Sequence, residues 1–273
     1  MDDAFKEMRD NFDFFDLKKC PLQAYIGGTG NHGVTRTGQN KLFCADLMAF
    51  LAYICEYKEL PNHVVVAGGA SGKHFVQLVN LFPISTNWHL YDPAEREDFA
   101  KELQSISNVH LYRQRYEPED CKHWAKQTKI LFLSDIRNVN YTPTIERITS
   151  LKSQGRNDGI CKRIKKLEKN MERMAMEDMA LQARMVENTG ADMSFVKFRP
   201  PYVKISVLIP YLKGKVLFQP LNRDNSTECR LMIIPENSQQ ETFRSKKNAA
   251  VFETVEYDAL KHEEQCAYIN HNF

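Results

Sequence analysis

The sequence predicts an α/β fold in which helices cover both faces of a mostly parallel central sheet. Apolar, β-branched runs indicate strands near 63–67, 87–91, 108–112 and 129–134. Helical patterns separate them near 72–82, 94–105 and 117–127. Strands and helices that alternate at this spacing imply right-handed crossovers between parallel neighbours. The fourth run is apolar throughout, as a strand covered on both faces should be.

Composition bounds the class of protein. The chain has 273 residues and a net charge of +2, so any affinity for nucleic acid must come from local patches. Its seven cysteines and eight histidines form no Cys-x-x-Cys or His-x-x-x-His pair, which indicates a reducing compartment and argues against zinc, so no metal site is predicted. The N-terminus lacks a signal-peptide pattern, and the most apolar helix, 42–56, carries Asp46 and Glu56. We expect a soluble cytoplasmic protein.

We expect a single domain over residues 1–273 with three additions. Residues 1–38 form an N-terminal extension, in which 25–38 contain five glycines and suit either a linker or a flap over a substrate. Residues 142–190 form a long charged helical insertion, and residues 235–273 form a C-terminal appendage.

A glycine-rich turn after the first predicted strand organises the chain. Gly68 and Gly72 allow positive φ and let a ligand approach the backbone, and the next helix offers unpaired N–H groups. Asp92 ends the second strand, 20 residues past Gly72, where an acid suits a ribose diol. The turn lacks the features of a phosphate-binding loop and of a full dinucleotide fingerprint. It favours a small adenosine-containing ligand; the alternative is a tight connection without a ligand.

The remaining segments add helices and extend the sheet. Residues 39–57 have helical apolar spacing, with Lys41 in the first turn. Within the charged segment 142–188, the run from Cys161 to Met185 predicts one long helix. That helix has either a solvated face and a methionine stripe in the core or a basic face for RNA or a partner. Further strands are expected at 194–198, 215–218 and 229–234. They add antiparallel partners at one edge, and the last 20 residues predict a helix.

Four charged residues form the candidate catalytic set: Lys41, Asp135, Lys197 and Glu228. They match the Lys-Asp-Lys-Glu set of RNA 2′-O-methyltransferases. The surrounding motifs are Gly38-Gln39-x-Lys41-Leu42, Val64-Val65-x-x-Gly68-x-Ala70-x-Gly72-x-His74, Ile130-Leu131-x-x-Ser134-Asp135-x-Arg137, Lys197-x-Arg199-x-Pro201, Gln219-Pro220 and Glu228-x-Arg230-Leu231. From about residue 36 to 234 they resemble the poxvirus-type family of cap-specific mRNA (nucleoside-2′-O-)-methyltransferases, whose protein also serves as the small, regulatory subunit of the viral poly(A) polymerase.

The resemblance implies a Rossmann-like S-adenosylmethionine-dependent methyltransferase fold with S-adenosyl-L-methionine as cofactor. The cofactor-binding positions implied are Gln39, Val66, Gly68, Gly72, Asp92, Arg115, Tyr116, Asp135 and Arg137. One position departs from the family, because Ala94 stands where the family has an arginine. Arg96 is the candidate substitute.

The resemblance also implies a pocket for the methylated cap, with aromatic walls and acidic residues. Tyr202 matches one wall, Tyr25 is the candidate for the other, and Glu263 matches one acid. The second acidic position holds Lys204, which would repel a cationic base. The expected partners are capped mRNA and a poly(A) polymerase catalytic subunit, with no membrane; if the protein is viral, it belongs in the host cytoplasm or the virion.

The proposed chemistry needs a base, because a ribose 2′-hydroxyl is a poor nucleophile and must attack the methyl group in line from about 3 Å. Lys197 is the candidate base, since a second cation and partial burial favour loss of its proton. Lys41 would be that cation, and Asp135 and Glu228 would orient the two lysines. The rival hypotheses are an RNA-clamping subunit of a polyadenylating enzyme, a methyltransferase for another acceptor, and an NAD-dependent enzyme, which the incomplete fingerprint disfavours.

Overall fold

The structure is a computed structural model, and it describes residues 16–24, 37–82, 85–95, 97–136, 142–155, 157–203, 205–220, 226–246 and 249–272. The strands are β1 (His63–Ala67), β2 (Asn87–Tyr91), β3 (Val109–Tyr112), β4 (Ile130–Ser134), β5 (Met193–Phe198), β6 (Leu208–Leu212), β7 (Lys215–Phe218), β8 (Cys229–Ile233) and β9 (Thr254–Asp258). The helices are α1 (Thr37–Tyr57), α2 (Lys73–Asn80), α3 (Pro118–Trp124), α4 (Thr142–Ser153), α5 (Asp158–Thr189), α6 (Glu241–Arg244) and α7 (Ala259–Asn272).

Seven strands form one sheet in the spatial order β3-β2-β1-β4-β5-β8-β7. β1 pairs in parallel with β2 and β4, and β5 extends the parallel part beyond β4. β8 runs antiparallel between β5 and β7. The mostly parallel sheet and its antiparallel edge are therefore confirmed. The chain also forms a two-stranded sheet of β6 and β9, which the sequence patterns did not predict.

The two faces of the central strands enter two separate cores. Val64 and Val66 lie in a cluster with residues of α1 and α2, whereas Val65 and Ala67 lie in a cluster with residues of α3, α5 and α7. Helices therefore cover both faces, as predicted. Among the described residues, no helix combines the length and apolar character that crossing a membrane requires.

The predicted helix over 94–105 is wrong. Among the described residues of this segment, the structure has only a 3-10 turn, Lys101–Ser105. Asp92 accepts a hydrogen bond from the backbone N–H of Ala94 (2.8 Å), and Ala94 has φ +57°, a left-handed conformation that interrupts a helix. The local turn after β2 therefore outweighs the helical pattern.

The long charged helix predicted from Cys161 to Met185 is confirmed as α5, and a second helix, α4, precedes it in the segment 142–188. Gly155, with φ +95°, lies between them, and the Asn157 side chain caps α5 by accepting from the N–H of Ile160 (2.9 Å). Together α4 and α5 form the crossover from β4 to its parallel neighbour β5.

Candidate functional site

Five charged side chains meet at the carboxyl edge of the parallel strands, and we call them the charged cluster: Lys41, Asp135, Lys197, Glu228 and Arg230. Lys197 of β5 and Arg230 of β8 are paired across the antiparallel ladder. Two cations directly opposite each other repel. Asp135, which follows β4, offsets this repulsion, because its Oδ1 lies 3.4 Å from Lys197 Nζ and 3.1 Å from Arg230 Nη2.

Glu228 joins the two lysines. Its Oε1 lies 2.8 Å from Lys41 Nζ, and its Oε2 lies 2.8 Å from Lys197 Nζ. Lys197 and Glu228 are buried, at 8% and 7% exposure. The structure thus brings together all four residues of the candidate catalytic set, from α1, β5 and the segments after β4 and before β8.

Arg230 belongs to the family motif, but the sequence alone assigns it no role. It is 2% exposed and also donates to the backbone oxygen of Ser134 (3.2 Å). With its amide nitrogen oriented toward the carboxylate, Gln219 donates to Glu228 Oε1 and accepts from Arg230 Nη2, both at 3.2 Å. One feature of the sequence could have indicated a role for Arg230: it is a charged residue in the otherwise apolar pattern of β8. A charged side chain is rarely buried in a strand unless it is paired.

The glycine turn connects three strand ends. The backbone N–H groups of Gly68 and Gly69 donate to Tyr91 O at 2.9 and 3.1 Å, and Asp135 N donates to Ala67 O at 3.1 Å. Gly68 has φ +87°, and a Cβ on it would lie 3.1 Å from the carbonyl carbon of Asp135. Gly72 has φ +68° and precedes α2 as its N-cap. A side chain at Gly68 would therefore displace a member of the charged cluster.

Substitution of Gly68 by alanine is expected to destabilise the protein more than substitution of Gly155. Both glycines have positive φ, which costs an L-residue roughly 1–2 kcal/mol. A Cβ at Gly155 meets nothing within 4 Å, so that variant measures the backbone cost alone. Chemical denaturation of the two variants gives the comparison. Equal reductions in stability would contradict the close packing of Gly68 on Asp135.

Gln39 and Asp92 flank this turn. Gln39 Oε1 accepts from the backbone N–H of His74 (3.2 Å) and lies 3.0 Å from its Nδ1, while His74 Nε2 lies 2.9 Å from Asp46 Oδ2. The Asp92 carboxylate accepts from the N–H groups of Ala70 (3.2 Å) and Ala94 (2.8 Å). Asp92 remains partly exposed, so its oriented oxygens keep acceptor capacity for a ligand.

Three other cofactor-binding positions implied by the resemblance differ in exposure, since the Val66 and Tyr116 side chains are buried and Arg115 is exposed. The Val66 side chain is 3% exposed in the core beside α1 and α2. The Tyr116 side chain is also in the core, where its hydroxyl hydrogen-bonds Thr189 Oγ1 (2.9 Å) and burial raises its pKa. These two side chains cannot line an open crevice, so only their backbone is available. Arg115 is exposed, 4.0 Å from Glu95.

Some sequence-predicted positions lie outside the described residues. They are Tyr25, Arg96, Arg137, Lys204 and the glycine-rich segment up to residue 36.

Tyr202 lies between two acids on different helices. Its backbone N–H donates to Glu172 Oε2 of α5 (3.2 Å), and the N–H of Val203 donates to Glu263 Oε2 of α7 (3.3 Å). Arg199 lies 5.3 Å from the Tyr202 ring centre and 3.5 Å from Glu172 Oε1. Burial raises the pKa of both carboxyls, partly offset at Glu172 by Arg199. Glu172 was missed because nothing distinguishes it within a charged helix.

Two cavities adjoin these residues. A small one of about 90 Å³ is lined by Lys197 and Glu228, with Asp178 and Gln182 of α5 opposite. A groove of about 910 Å³ lies between α4 and α5 and reaches Glu172. Its cationic lining residues are Arg147, Arg163, Lys166, Lys169 and Arg173. We call it the basic groove. Its charge matches the basic face predicted for the first half of the long helix.

Comparisons with known proteins agree with this architecture. The model of the family described as poly A polymerase regulatory subunit matches residues 29–151. No curated protein sequence matches the chain. The structure is similar to bluetongue virus VP4, which is described as a multifunctional RNA-capping production line, with a TM-score of 0.55 and 13% identity over 91% of this chain. The chain spans 34% of the length of VP4, and at this identity the likeness concerns the fold. The resemblance is thus confirmed for the motifs between residues 29 and 151, where the chain matches the model of the poly A polymerase regulatory subunits.

Proposed function

We propose that the chain is an S-adenosylmethionine-dependent methyltransferase that methylates the ribose 2′-hydroxyl of the first transcribed nucleotide of capped mRNA, converting cap 0 to cap 1. The observation that carries the proposal is the charged cluster, in which Glu228 joins Lys41 to Lys197 and Asp135 joins Lys197 to Arg230. The strand order, with one antiparallel strand near the edge, and the likeness to a viral capping protein support a Rossmann-like methyltransferase fold.

The described residues fit an adenosine-containing cofactor in part. The glycine turn leaves the backbone open at Gly68 and Gly72, and Asp92 presents oriented carboxylate oxygens suited to ribose hydroxyls. Gln39 contacts the first turn of the helix that follows the glycine turn, and Asp135 donates to Ala67 O at the end of β1. S-adenosylmethionine would supply an electrophilic methyl group there.

Lys197 accepts the proton of the ribose hydroxyl in this proposal. The cluster holds three cations and two carboxylates, so loss of one proton leaves it neutral. Lys41 and Arg230 pair with the same two carboxylates and so reduce their hold on the Lys197 proton, while Glu228 and Asp135 keep the ammonium group in place. Lys197 and Glu228 line the small cavity beside α5, which gives an acceptor group a route to Nζ. Lys41 and Arg230 act through the two carboxylates and are positioning residues.

The cap-binding part of the proposal centres on Tyr202. A methylated guanine carries delocalised positive charge, which aromatic stacking and nearby carboxylates stabilise. Glu172 and Glu263 supply two carboxylates on either side of the Tyr202 segment. Glu172 therefore offers the second acid that position 204 lacks in the sequence.

Binding of a methylated cap analogue is expected to strengthen as pH rises from about 5 to about 7. Burial raises the pKa of both Glu172 and Glu263, so these acids become protonated at a higher pH than usual as pH falls. Protonation removes the negative charge that attracts the cationic base. An unmethylated analogue is the control, because it lacks the positive charge. Fluorescence titration that gave both analogues the same pH dependence would exclude the two acids from cap recognition.

The basic groove is proposed to hold RNA downstream of the cap. Changing both Arg163 and Lys166 to glutamine is expected to reduce the slope of log affinity against log salt by about 0.7 for each phosphate of single-stranded RNA that the variant no longer neutralises. The matched control changes both Lys18 and Lys19 to glutamine, because these lysines lie on the 3-10 turn near α7. An unchanged slope in the groove variant would place the RNA elsewhere.

Methyl transfer from labelled S-adenosylmethionine tests the proposal as a whole. The acceptors are a short RNA with a methylated cap, the same RNA uncapped, and the capped RNA already methylated at the first ribose. Transfer to the first RNA alone is expected. Cofactor binding without transfer to any of the three would refute the proposed reaction.

A second candidate function is favoured by the family match itself, which is described as a regulatory subunit. In this role the chain binds a poly(A) polymerase and holds RNA for it in the cytoplasm. Addition of the chain is then expected to lengthen the tails that the polymerase makes. Tail lengths that stay the same, together with no binding between the two proteins, would exclude the subunit role.

A further inference from the structure

A buried group of two thiols and one imidazole lies on the face of β8 opposite the charged cluster. Cys229 Sγ and Cys266 Sγ are 3.5 Å apart, and Cys266 Sγ is 3.5 Å from His262 Nε2. Ligand atoms of all three residues lie within 4.8 Å of one another. All three residues are at most 5% exposed. Neither the methyltransferase role nor the subunit role uses them.

Rigid elements hold this group. His262 and Cys266 are one turn apart on α7 and therefore share a face of the helix. Cys229 begins β8 and is paired with Phe198 of β5, whose ring meets the His262 ring edge to face at 5.2 Å. The donor atoms are thus positioned by a sheet and a helix rather than by a loop, as a preorganised site requires.

We propose that Cys229, His262 and Cys266 bind a zinc ion. Zinc prefers thiolate and imidazole ligands in tetrahedral geometry, with Zn–S near 2.3 Å and Zn–N near 2.0–2.1 Å. Those bond lengths place neighbouring ligand atoms about 3.5–3.8 Å apart, and both measured contacts are 3.5 Å. The sequence prediction of no zinc relied on Cys-x-x-Cys and His-x-x-x-His spacing, whereas the informative spacing is His262-x-x-x-Cys266 with a distant strand cysteine.

Cys20 is the proposed fourth ligand, because structural zinc sites are usually four-coordinate. The turn Leu17–Lys19 packs on α7, and Cys20 O accepts from Gln265 Nε2 at 3.5 Å. Cys20 is partly exposed and stands outside the buried group of three, with its Sγ 3.9 Å from Asp16 O, so its side chain must turn toward the other ligands to bind the metal.

Zinc binding requires a defined exchange of protons. His262 Nε2 lies 2.8 Å from the backbone oxygen of Thr227, so in the metal-free arrangement Nε2 carries the proton. On binding, that proton moves to Nδ1 and Nε2 binds the metal. Each cysteine that joins releases one thiol proton to solvent, and no oxidation or reduction occurs.

The ion has a structural role in this proposal. Cys229 lies between Glu228 and Arg230, which belong to the charged cluster on the other face of the sheet. Glu263, which contacts the Tyr202 segment, is adjacent to His262. Zinc would therefore join β8 to α7 and fix the strand that positions the cluster.

Cobalt substitution of the whole chain tests the site without any variant. The chain is purified under reducing conditions, stripped with a chelator and titrated with Co²⁺. We expect one equivalent to bind, with the thiolate charge-transfer and visible bands of tetrahedral cobalt, and Zn²⁺ to displace it. Weak octahedral bands, or no saturable binding, would overturn the proposal, as would a Cys229–Cys266 disulfide found by mass spectrometry under the same reducing conditions.

Variants identify the ligands. Cys266→Ser is expected to lose the bound metal, measured as zinc per chain after dialysis, and Cys20→Ser to weaken binding and change the visible bands. Cys161→Ser is the control, because Cys161 is exposed on α5. Full zinc content in folded Cys266→Ser would overturn the assignment. The measurement does not depend on methyl transfer, so it stands or fails separately from the proposed function.

Discussion

Replacement of Lys197 by arginine is expected to lower methyl transfer by about 10²- to 10⁴-fold, the usual contribution of a positioned acid or base. Arginine keeps the positive charge between Asp135 and Glu228, so the ion pairs at 3.4 and 2.8 Å retain a cation. A guanidinium does not lose its proton in proteins. The variant therefore separates proton transfer from charge stabilisation, which Lys197→Met would remove together.

The measurement is single-turnover transfer to the capped RNA, with cofactor binding and thermal unfolding recorded on the same sample. Lys213→Arg is the matched control, because Lys213 also pairs with two carboxylates, Glu236 and Glu253, but is 49% exposed. Near-normal methyl transfer by folded Lys197→Arg would show that Lys197 does not accept the proton and acts only through its positive charge. Loss of cofactor binding by this variant would indicate instead that the substitution has disturbed the cofactor site.

Replacement of Arg230 by methionine is expected to cost about 3–5 kcal/mol of the free energy of unfolding, as when one partner of a buried ion pair is removed. The guanidinium contacts Asp135 Oδ1 at 3.1 Å and Ser134 O at 3.2 Å from a site with 2% exposure. Methionine fills part of the volume but leaves both oxygens without this donor. Urea denaturation measures the change.

Two controls test the cause of that destabilisation. Arg113 makes a similar contact with Asp98 at the surface, so Arg113→Met is expected to leave stability nearly unchanged. In the double variant of Arg230→Met and Asp135→Asn, the combined destabilisation should be smaller than the sum for the two single variants, because the second change removes the uncompensated charge. Additive effects would mean that Arg230 acts by packing alone.

Local patterns predicted most of the central sheet. The predicted strand ranges 63–67 and 87–91 coincide with β1 and β2. Both were predictable because an apolar, β-branched run bounded by turn residues is a pattern of neighbouring residues alone. The four residues of the candidate catalytic set were also identified from motifs, and the structure brings them together. Their roles remain predictions, since proximity is not activity.

The rest depended on contacts between residues distant in sequence. Glu172 meets the Tyr202 segment across 30 residues, and Cys229 meets Cys266 across 37. A pattern of neighbouring residues in the sequence cannot predict contacts between residues so far apart. Helix 94–105 failed for a different reason, because the hydrogen bond from Ala94 to Asp92 stabilises a turn that competes with helix formation.

The alternation of side chains along β8 has a consequence for how the protein folds. A misalignment of β8 by one residue against β5 would exchange its two faces. The guanidinium of Arg230 would then enter the aromatic surroundings of Phe198 and His262, and a thiol would replace it among the carboxylates. Both changes raise the free energy and occur together, so a misaligned intermediate is not stabilised by part of the native contacts. Attachment of this strand should therefore be nearly all-or-none, and late in folding, since it needs β5, α1 and α7 already in place.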